Sequence, residues 1–291
     1  MNTNSLSRIN LARLWGIWTL ILLLGIPQVL HAKSSYAYRP SLGAESPALD
    51  VYTKNNLKNA PVLIYVHGGA WRKGDKSRVH AKPKHFNKLG FVFVSINYRL
   101  VPGVTVETQL EDVDQALNWV TQNITKHGGN PKNLHLMGHS AGAHLVAMTG
   151  VRPLTSAKRL ITAGALRSIL SNDTRAYDLP RIAKNGRGGK MPKIYASVFG
   201  LEAARWQALS PIYQLKPGQN LPDFLVLYSG QGNTATRRAF TVDFVRSMHK
   251  VGGSAELFDG SKYSHAKINQ DIGGNNEVTR SIDRFLAAQA Q

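Results

Sequence analysis

Short apolar runs alternate along the chain with longer segments in which apolar residues recur at helical spacing. Pro61–Val66 (PVLIYV) and Phe91–Tyr98 (FVFVSINY) are typical of buried strands, because they are compact and rich in β-branched and aromatic residues. Thr108–Lys126 instead carries an apolar residue every three or four positions, which predicts an amphipathic helix. We expect further strands at 48–53, 134–137, 166–170, 224–228 and 256–258, and further helices at 141–150, 240–250 and 278–289.

Strands that alternate with helices in this way predict the α/β class, with a mostly parallel central sheet and helices on both faces. In such sheets, ligands bind at the carboxyl ends of the strands. Candidate functional residues are therefore sought in the segments that directly follow a strand.

The first 32 residues have a different pattern. Arg8 and Arg13 precede an apolar run at 14–26 (LWGIWTLILLLGI), which is followed by Pro27 and the small residue Ala32. This order is typical of a secretory signal, and the run is shorter than the roughly 20 apolar residues of a membrane span. We predict a signal peptide over 1–32, with an uncleaved anchor as the alternative, an exposed lead-in over 33–47, and one domain over 48–291. The protein is then exported, periplasmic or extracellular, and it contacts a membrane only if the segment is uncleaved.

Basic residues dominate the charge. The 36 Lys and Arg residues against 17 Asp and Glu residues give a formal net charge of +19, with clusters at 72–88 and 175–193. The simpler interpretation of these clusters is a solvated basic surface, and attraction to anionic substrates or to an anionic surface or polysaccharide is the alternative. Nucleic acid is not expected as a partner, because no reader motif is present. No metal or cofactor is expected either, because the chain has no cysteine, H-E-x-x-H motif or P-loop.

One short motif suggests a nucleophile. The predicted strand LHLM runs into GHSAG, and AHLVAM then continues as a helix, so Ser140 stands at a strand–turn–helix junction between two glycines. Such a turn lifts a serine hydroxyl above the sheet edge. Ser140 is the predicted nucleophile.

A second glycine motif, VHGGAW, ends the strand PVLIYV. Glycines let a loop bring its backbone N–H groups close to a reacting oxygen. We predict an oxyanion hole from the N–H groups of Gly68, Gly69 and Ala141. Trp71 and His139 are expected to line the substrate pocket. Residues 191–207 have a helical pattern and are expected to cap this pocket as a small lid.

These stretches carry a resemblance to a known family. HGGAWRKGDKS, INYRLVP, GGNPKNLHLMGHSAGAHL and YSHAKINQDIG resemble the α/β-hydrolase esterases, in particular the branch of carboxylesterases, feruloyl-esterase-like and kynurenine-formamidase-like enzymes. The resemblance covers residues 48–290. It implies the α/β-hydrolase fold and a Ser–His–acid triad.

In this fold the triad members follow the order Ser, acid, His along the chain. His265 lies after the last predicted strand, in the polar loop DGSKYSHAKINQDIG that also matches the family's histidine loop. His265 is therefore the predicted general base.

The position of the triad acid in this sequence differs from the family pattern. The loop after FLVLY, where most relatives carry Asp, has Gly232 and Asn233, and no Asp or Glu occurs between Asp223 and Asp243. We favour Asp173, which stands almost directly after the preceding strand. Asn233 as the residue that orients His265, and the lack of any effective acid, are the alternatives.

The function predicted from these residues is hydrolysis of carboxylic esters of small to medium acyl groups through an acyl-enzyme on Ser140. A formamidase, amidase or acyltransferase that uses the same site is one alternative. A non-catalytic α/β-hydrolase that only binds its ligand is another, motivated by the missing acid after FLVLY.

Overall fold

A computed structural model describes residues 31–152, 160–162, 164–230 and 234–289. Within these ranges, eight strands form one sheet in the order β1-β2-β4-β3-β5-β6-β7-β8. β2 runs antiparallel to β1 and to β4, and the pairs from β4 through to β8 are parallel. The strands are His31–Ala37 (β1), Ala48–Lys54 (β2), Ala60–Val66 (β3), Val92–Ile96 (β4), Gly129–His139 (β5), Leu166–Asn172 (β6), Asp223–Ser229 (β7) and Ala255–Gly260 (β8).

Helices lie on both faces of this sheet, as the alternating pattern predicts. They are Lys82–Lys88 (α1), Val106–Asn123 (α2), Ala141–Val151 (α3), Leu179–Lys184 (α4), Lys193–Phe199 (α5), Ala203–Ala208 (α6), Pro211–Gln214 (α7), Thr234–Lys250 (α8), Lys267–Gln270 (α9) and Glu277–Gln289 (α10). Short 3₁₀ helices at Pro40–Glu45, Ile124–His127 and Arg187–Gly189 complete the connections.

The core divides into two hydrophobic clusters because successive strand residues face opposite sides of the sheet. Val62, Ile64 and Val66 of β3 belong to the cluster that α2, α3 and α8 cover. Leu63 and Tyr65, between them in sequence, belong to the cluster that α1 and α10 cover. Both faces of β3 are thus buried, which explains the uninterrupted apolar run PVLIYV.

The segment 33–47, expected to be an exposed lead-in, is more ordered than that. Residues 31–37 form β1, which pairs antiparallel with β2, and Tyr38 is buried and donates its hydroxyl hydrogen to the carbonyl oxygen of Asn97 at 2.5 Å. Most other side chains of the segment remain exposed or half-buried. Residues 1–30 of the predicted signal lie outside the described residues. No helix in the described ranges is long and apolar enough to span a membrane.

The parallel strands end at one edge of the sheet and deliver the candidate residues there. β3 leads into the loop that holds Gly68, β5 into Ser140, β6 into Asp173 and β8 into the loop that holds His265. The candidates therefore come from four separate segments, joined by the register of the sheet.

Candidate active site

Ser140 occupies a strained turn between β5 and α3. Its backbone dihedral angles are φ 56° and ψ −114°, a region that residues other than glycine rarely adopt. The turn is held from both sides, because the Ser140 N–H donates to the carbonyl oxygen of Asn172 at 2.9 Å and the Ser140 carbonyl accepts from the His144 N–H at 3.2 Å. A strained serine at a strand–helix junction is the geometry of a nucleophile elbow.

The two glycines of G-x-S-x-G are required by close backbone contacts. A Cβ on Gly138 would lie 2.2 Å from the carbonyl oxygen of Gly142. A Cβ on Gly142 would lie 2.1 Å from the carbonyl oxygen of Val66, at the end of β3. A side chain at either position would force the neighbouring backbone to shift, so the turn as it stands requires glycine at both positions.

The structure brings Ser140, His265 and Asp173 into one chain of hydrogen bonds. His265 Nε2 lies 3.0 Å from Ser140 Oγ, and His265 Nδ1 lies 2.5 Å from Asp173 Oδ2. Because the carboxylate can only accept, Nδ1 carries a proton, and in the neutral ring Nε2 is then free to accept the serine hydroxyl hydrogen. This is the arrangement in which an imidazole can remove a proton from a serine.

Asp173 is buried, with 1% of its surface exposed, and is held by four hydrogen-bond donors. Besides His265, it accepts from the Ser229 N–H at 3.1 Å, the Ser229 hydroxyl at 2.5 Å and Arg237 Nη1 at 3.0 Å. Burial alone raises the pKa of this carboxyl group, but the hydrogen bond from His265 and the charge of Arg237 outweigh burial and lower the pKa to about 2. Asp173 is therefore a carboxylate throughout the neutral range.

Ser229 and Arg237 were not predicted as site residues from the sequence. Ser229 is the last residue of β7, and Arg237 lies in the first turn of α8. The two residues therefore flank the loop after β7, where the family pattern places its acid. No local motif marks them. Asn233, the alternative orienting residue, and Gly232 lie outside the described residues.

The neighbouring Asp178 has a structural role. Its carboxylate accepts from the Arg181 N–H at 3.0 Å and so caps the amino end of α4.

The glycine loop after β3 packs directly against the nucleophile. A Cβ on Gly68 would lie 3.1 Å from Ser140 Cβ and 2.8 Å from the carbonyl oxygen of His139. Gly69 has φ +130°, and a Cβ there would lie 1.9 Å from the carbonyl oxygen of Lys73 across the turn. Ala141 is the first residue of α3, where a backbone N–H has no partner within its own helix. All three predicted N–H donors thus belong to segments that adjoin Ser140.

His67 stabilises this glycine loop through contacts of its ring and of its backbone carbonyl group. Its ring stacks on Tyr98 with the ring centroids 4.4 Å apart, and the Tyr98 hydroxyl donates to the His67 carbonyl oxygen at 3.0 Å. His67 Nδ1 donates to the Gly68 carbonyl oxygen at 2.9 Å. Burial lowers the pKa of His67, so the ring holds the loop as a neutral group.

Ser140 opens onto two cavities. The smaller, about 170 Å³, is lined by Trp71, Arg175, Tyr195 and Arg237 among others. The larger, about 460 Å³, is lined by Gly68, Gly69, His139 and Asn269 among others. Ser140 and His265 line both cavities, so a substrate can extend to either side of the reacting atoms.

Trp71 and His139 each line a cavity and also hold the site together. Trp71 is 4% exposed, and its Nε1–H donates to His144 Nδ1 at 3.2 Å, while His144 Nε2 donates to the Leu209 carbonyl oxygen at 2.8 Å. Burial lowers the pKa of His144 to about 4, which keeps its ring neutral and able to accept from Trp71.

His139 Nε2 donates to the carbonyl oxygen of His265 at 2.8 Å, and the two rings lie 4.6 Å apart. Burial, and next the neighbouring His265, lower the pKa of His139 to about 3, so this ring stays neutral while it holds the histidine loop.

A buried lysine also supports the histidine loop. Lys82 of α1 is fully buried, and its Nζ donates to the carbonyl oxygen of Asn269 at 2.7 Å and lies 5.0 Å from the centroid of the Tyr65 ring. Burial lowers the pKa of Lys82 to about 7. Lys82 falls within the basic cluster at 72–88, for which a solvated surface was expected, but its side chain is buried.

The helical segment expected at 191–207 is present as α5 and α6. Ile194 and Tyr195 of α5 line the smaller cavity, so this segment covers the pocket on one side. Within the described ranges, no group of three or more His, Cys, Asp or Glu side chains is arranged to hold a metal ion.

Comparisons with known proteins agree with this architecture. The BD-FAE family model matches residues 49–172. Esterase LipQ of Mycobacterium tuberculosis (strain ATCC 25618 / H37Rv) is 35% identical over 138 residues, which are 44% of this chain and 33% of LipQ. The probable isoprenylcysteine alpha-carbonyl methylesterase ICMEL1 of Arabidopsis thaliana is 31% identical over 285 residues, 92% of this chain and 60% of that protein.

A solved structure shares the fold across nearly the whole chain. The native structure of esterase Est2 from Thermogutta terrifontis superposes with a TM-score of 0.69 at 21% identity, covering 88% of this chain and 91% of Est2. The chain spans between a quarter and about two thirds of the length of several curated relatives.

Together, the sheet topology and the solved structure show that this chain has the α/β-hydrolase fold, and the sequence comparisons show that it is similar to curated esterases. The predicted resemblance to the α/β-hydrolase esterases is confirmed, and so is the predicted fold class.

Proposed function

We propose that this protein hydrolyses carboxylic esters through an acyl-enzyme on Ser140. The observation that carries the proposal is the position of the His265 ring, which bridges Ser140 Oγ at 3.0 Å and the Asp173 carboxylate at 2.5 Å. The relatives support the reaction class, because their names are those of esterases and carboxylic ester hydrolases.

In the first half of the reaction, Ser140 Oγ attacks the ester carbonyl carbon while His265 Nε2 takes the serine proton. The carbonyl oxygen becomes negative, and the N–H groups of Gly68, Gly69 and Ala141 stabilise it. The tetrahedral intermediate collapses when its C–O bond to the alcohol breaks and His265 returns the proton to the leaving oxygen. The acyl group is then bonded to Ser140.

In the second half, water replaces the alcohol. His265 takes a proton from the water, whose oxygen attacks the acyl carbon, and the bond to Ser140 Oγ breaks as the proton passes to that oxygen. The carboxylate of Asp173 holds His265 in the required tautomer and stabilises the imidazolium formed in each half. The smaller cavity beside Ser140 has a volume of about 170 Å³, so we expect the acyl or alcohol group that enters it to be small.

The site favours catalysis over the alternative of a binding protein. That alternative rests on the missing acid after β7, and Asp173 places a carboxylate on His265 from β6 instead. A strained serine elbow also costs stability of order 1–3 kcal/mol, which binding alone does not require.

We also propose that the protein is exported. The support is the order of basic residues, apolar run and small residue over 1–32. Sequencing of the mature amino terminus tests this, with Lys33 expected as the first residue and Met1 contradicting it. Cleavage after Ala32 would leave five of the seven residues of β1 paired with β2.

Hydrolysis of 4-nitrophenyl acetate and butyrate by the full chain tests the ester hydrolase directly. Ser140→Ala is expected to lower kcat/KM by at least about 10³-fold. Ser41→Ala, which alters an exposed serine of the first 3₁₀ helix, serves as the matched control and is expected to match the wild type. A wild type no faster than Ser140→Ala on either ester would remove the proposal.

A further inference from the structure

The charged side chains around the nucleophile are nearly all of one sign. The smaller cavity is lined by Arg175 and Arg237, and the larger cavity by Lys73 and Arg78. A third cavity of about 510 Å³, which shares Ala70 with both, adds Arg72 and Lys193. Among the described residues that line these three cavities, Asp173 supplies the one carboxylate.

That carboxylate does not neutralise the surrounding charge. Asp173 is 1% exposed and already accepts hydrogen bonds from Arg237, His265 and Ser229. Its negative charge is therefore directed at groups within the protein, and the other cations face the cavities without a carboxylate of the lining to balance them. A low-dielectric cleft lined by one sign of charge concentrates solutes of the opposite sign.

Arg175 is the cation best placed to contact a substrate. It lies two residues after Asp173 and lines the same small cavity as Ser140 and His265. Among the described residues, no carboxylate lies within 4 Å of its guanidinium group, whereas Arg237 is paired with Asp173 at 3.0 Å. A partly exposed guanidinium group at the wall of a reaction cavity is available for a ligand anion.

Arg175 is also held in place. Its guanidinium carbon lies 5.9 Å from the centroid of the Tyr195 ring, at a distance typical of a cation–π contact. The turn that carries it is fixed, because the Ala176 N–H donates to Thr174 Oγ1 at 3.1 Å and Ala176 and Tyr177 are fully buried. An arginine that contacts an aromatic ring and stands on a fixed backbone loses little conformational freedom when it binds a carboxylate.

We propose that the site selects esters that carry a carboxylate within a few atoms of the scissile carbonyl group, and that Arg175 binds this carboxylate. The inference rests on the proposed ester hydrolase function and names its substrate class. The small volume of the Arg175 cavity, about 170 Å³, limits the anionic arm to a short chain. A guanidinium group can hold a carboxylate through two parallel hydrogen bonds, which gives selectivity as well as affinity.

Matched pairs of esters test this proposal. On the acyl side, 4-nitrophenyl hemisuccinate carries a carboxylate, and 4-nitrophenyl levulinate has a neutral acetyl group in its place. On the alcohol side, 4-acetoxybenzoate is compared with 4-acetoxybenzamide. The enzyme-free rate is subtracted for each ester. The variants are Arg175→Gln and, as a control with the same change in net charge, Arg187→Gln, which alters an exposed arginine outside the three cavities.

We expect the wild type to favour the anionic member of at least one pair by about tenfold or more in kcat/KM, in line with a charge-assisted contact in a cavity. Arg175→Gln should reduce that ratio to near one. Arg187→Gln should keep the wild-type ratio. The pair that shows the preference identifies the side of the ester that enters the Arg175 cavity.

Ester hydrolysis with no anionic preference in either pair would overturn the inference, and so would a preference that survives Arg175→Gln. A wild type that hydrolyses none of the four esters faster than Ser140→Ala would instead remove the ester hydrolase function, and this inference with it. Measurement at 50 mM and 500 mM salt separates the local contact from attraction by the net charge of +19, since salt weakens long-range attraction equally in both arginine variants.

Discussion

His265 Nδ1 lies 2.5 Å from Asp173 Oδ2, although Asp173 follows β6 and not β7, where the family pattern places the acid. The two positions are close because β6 and β7 are adjacent and parallel. The Asp173 N–H donates to the carbonyl oxygen of Leu227 in β7 at 2.9 Å, and Ser229 at the end of β7 donates twice to the Asp173 carboxylate. A carboxylate can therefore reach the same imidazole nitrogen from either strand.

Asp173→Asn should lower kcat by about 10³- to 10⁴-fold, because an amide can neither hold the ring in the same tautomer by charge nor stabilise the imidazolium. Steady-state hydrolysis of 4-nitrophenyl butyrate at pH 7.5 measures this. Asp178→Asn is the control: its side chain caps α4, a role that Asn also fills, so its kcat should stay close to that of the wild type. Equal losses in the two variants would argue against Asp173 as the acid.

Asn233→Ala should leave kcat within about twofold of the wild type. The reason is that Nδ1 of His265 already donates to the Asp173 carboxylate, so no second orienting group is required there. The same 4-nitrophenyl butyrate assay measures the kcat of this variant. A collapse of activity in Asn233→Ala with little loss in Asp173→Asn would assign the orienting role to Asn233.

Gly142→Ala should destabilise the protein by roughly 2 kcal/mol or more, because the new Cβ would lie 2.1 Å from the Val66 carbonyl oxygen and the backbone must shift. Gly103→Ala is the control, since the nearest atom to its Cβ is the Leu100 carbonyl oxygen at 3.4 Å. Thermal unfolding of the two variants measures the difference. A Gly142→Ala protein as stable as Gly103→Ala would show that the elbow tolerates a side chain.

Lys82 should make stability depend on pH in a defined direction. Its pKa is lowered from 10.5 in the unfolded chain to about 7 in the folded protein, so between these values the unfolded chain binds one more proton. Its contribution to the free energy of unfolding is therefore least favourable below pH 7 and improves as pH rises towards 10.5.

Denaturant unfolding at pH 7 and pH 9 checks this against Lys82→Met, which removes the titrating group. The stability of the wild type relative to the variant should rise by about 1–3 kcal/mol between the two pH values. A difference that stays constant or falls would mean that Lys82 is not held in the environment described here.

Much of the fold follows from local patterns. Each predicted strand corresponds to an observed strand, because an apolar run such as PVLIYV is buried on both sheet faces and resembles no surface segment. The elbow is equally local, since Gly138 and Gly142 are required by contacts within and beside a single turn. The base could be selected among ten histidines because the fold fixes the chain order of the triad.

Other features depend on contacts that no local pattern contains. β1 was not predicted, because its residues HAKSSYA are mostly polar or small and form an edge strand only by pairing with β2. Lys82 was placed at the surface because lysine is rarely buried, yet α1 packs it beneath the histidine loop. Arg237 and Ser229 approach Asp173 across 64 and 56 positions of sequence, so only the folded sheet brings them together.

The measurement that tests the central claim most directly is the intact mass of the protein after reaction with a fluorophosphonate. The strained Ser140, with His265 3.0 Å from its hydroxyl oxygen, should form one covalent adduct per chain. Ser140→Ala should gain no mass, and Asp173→Asn should react more slowly at the same residue. An unmodified wild type, or an adduct that persists in Ser140→Ala, would contradict the assignment of Ser140 as the nucleophile.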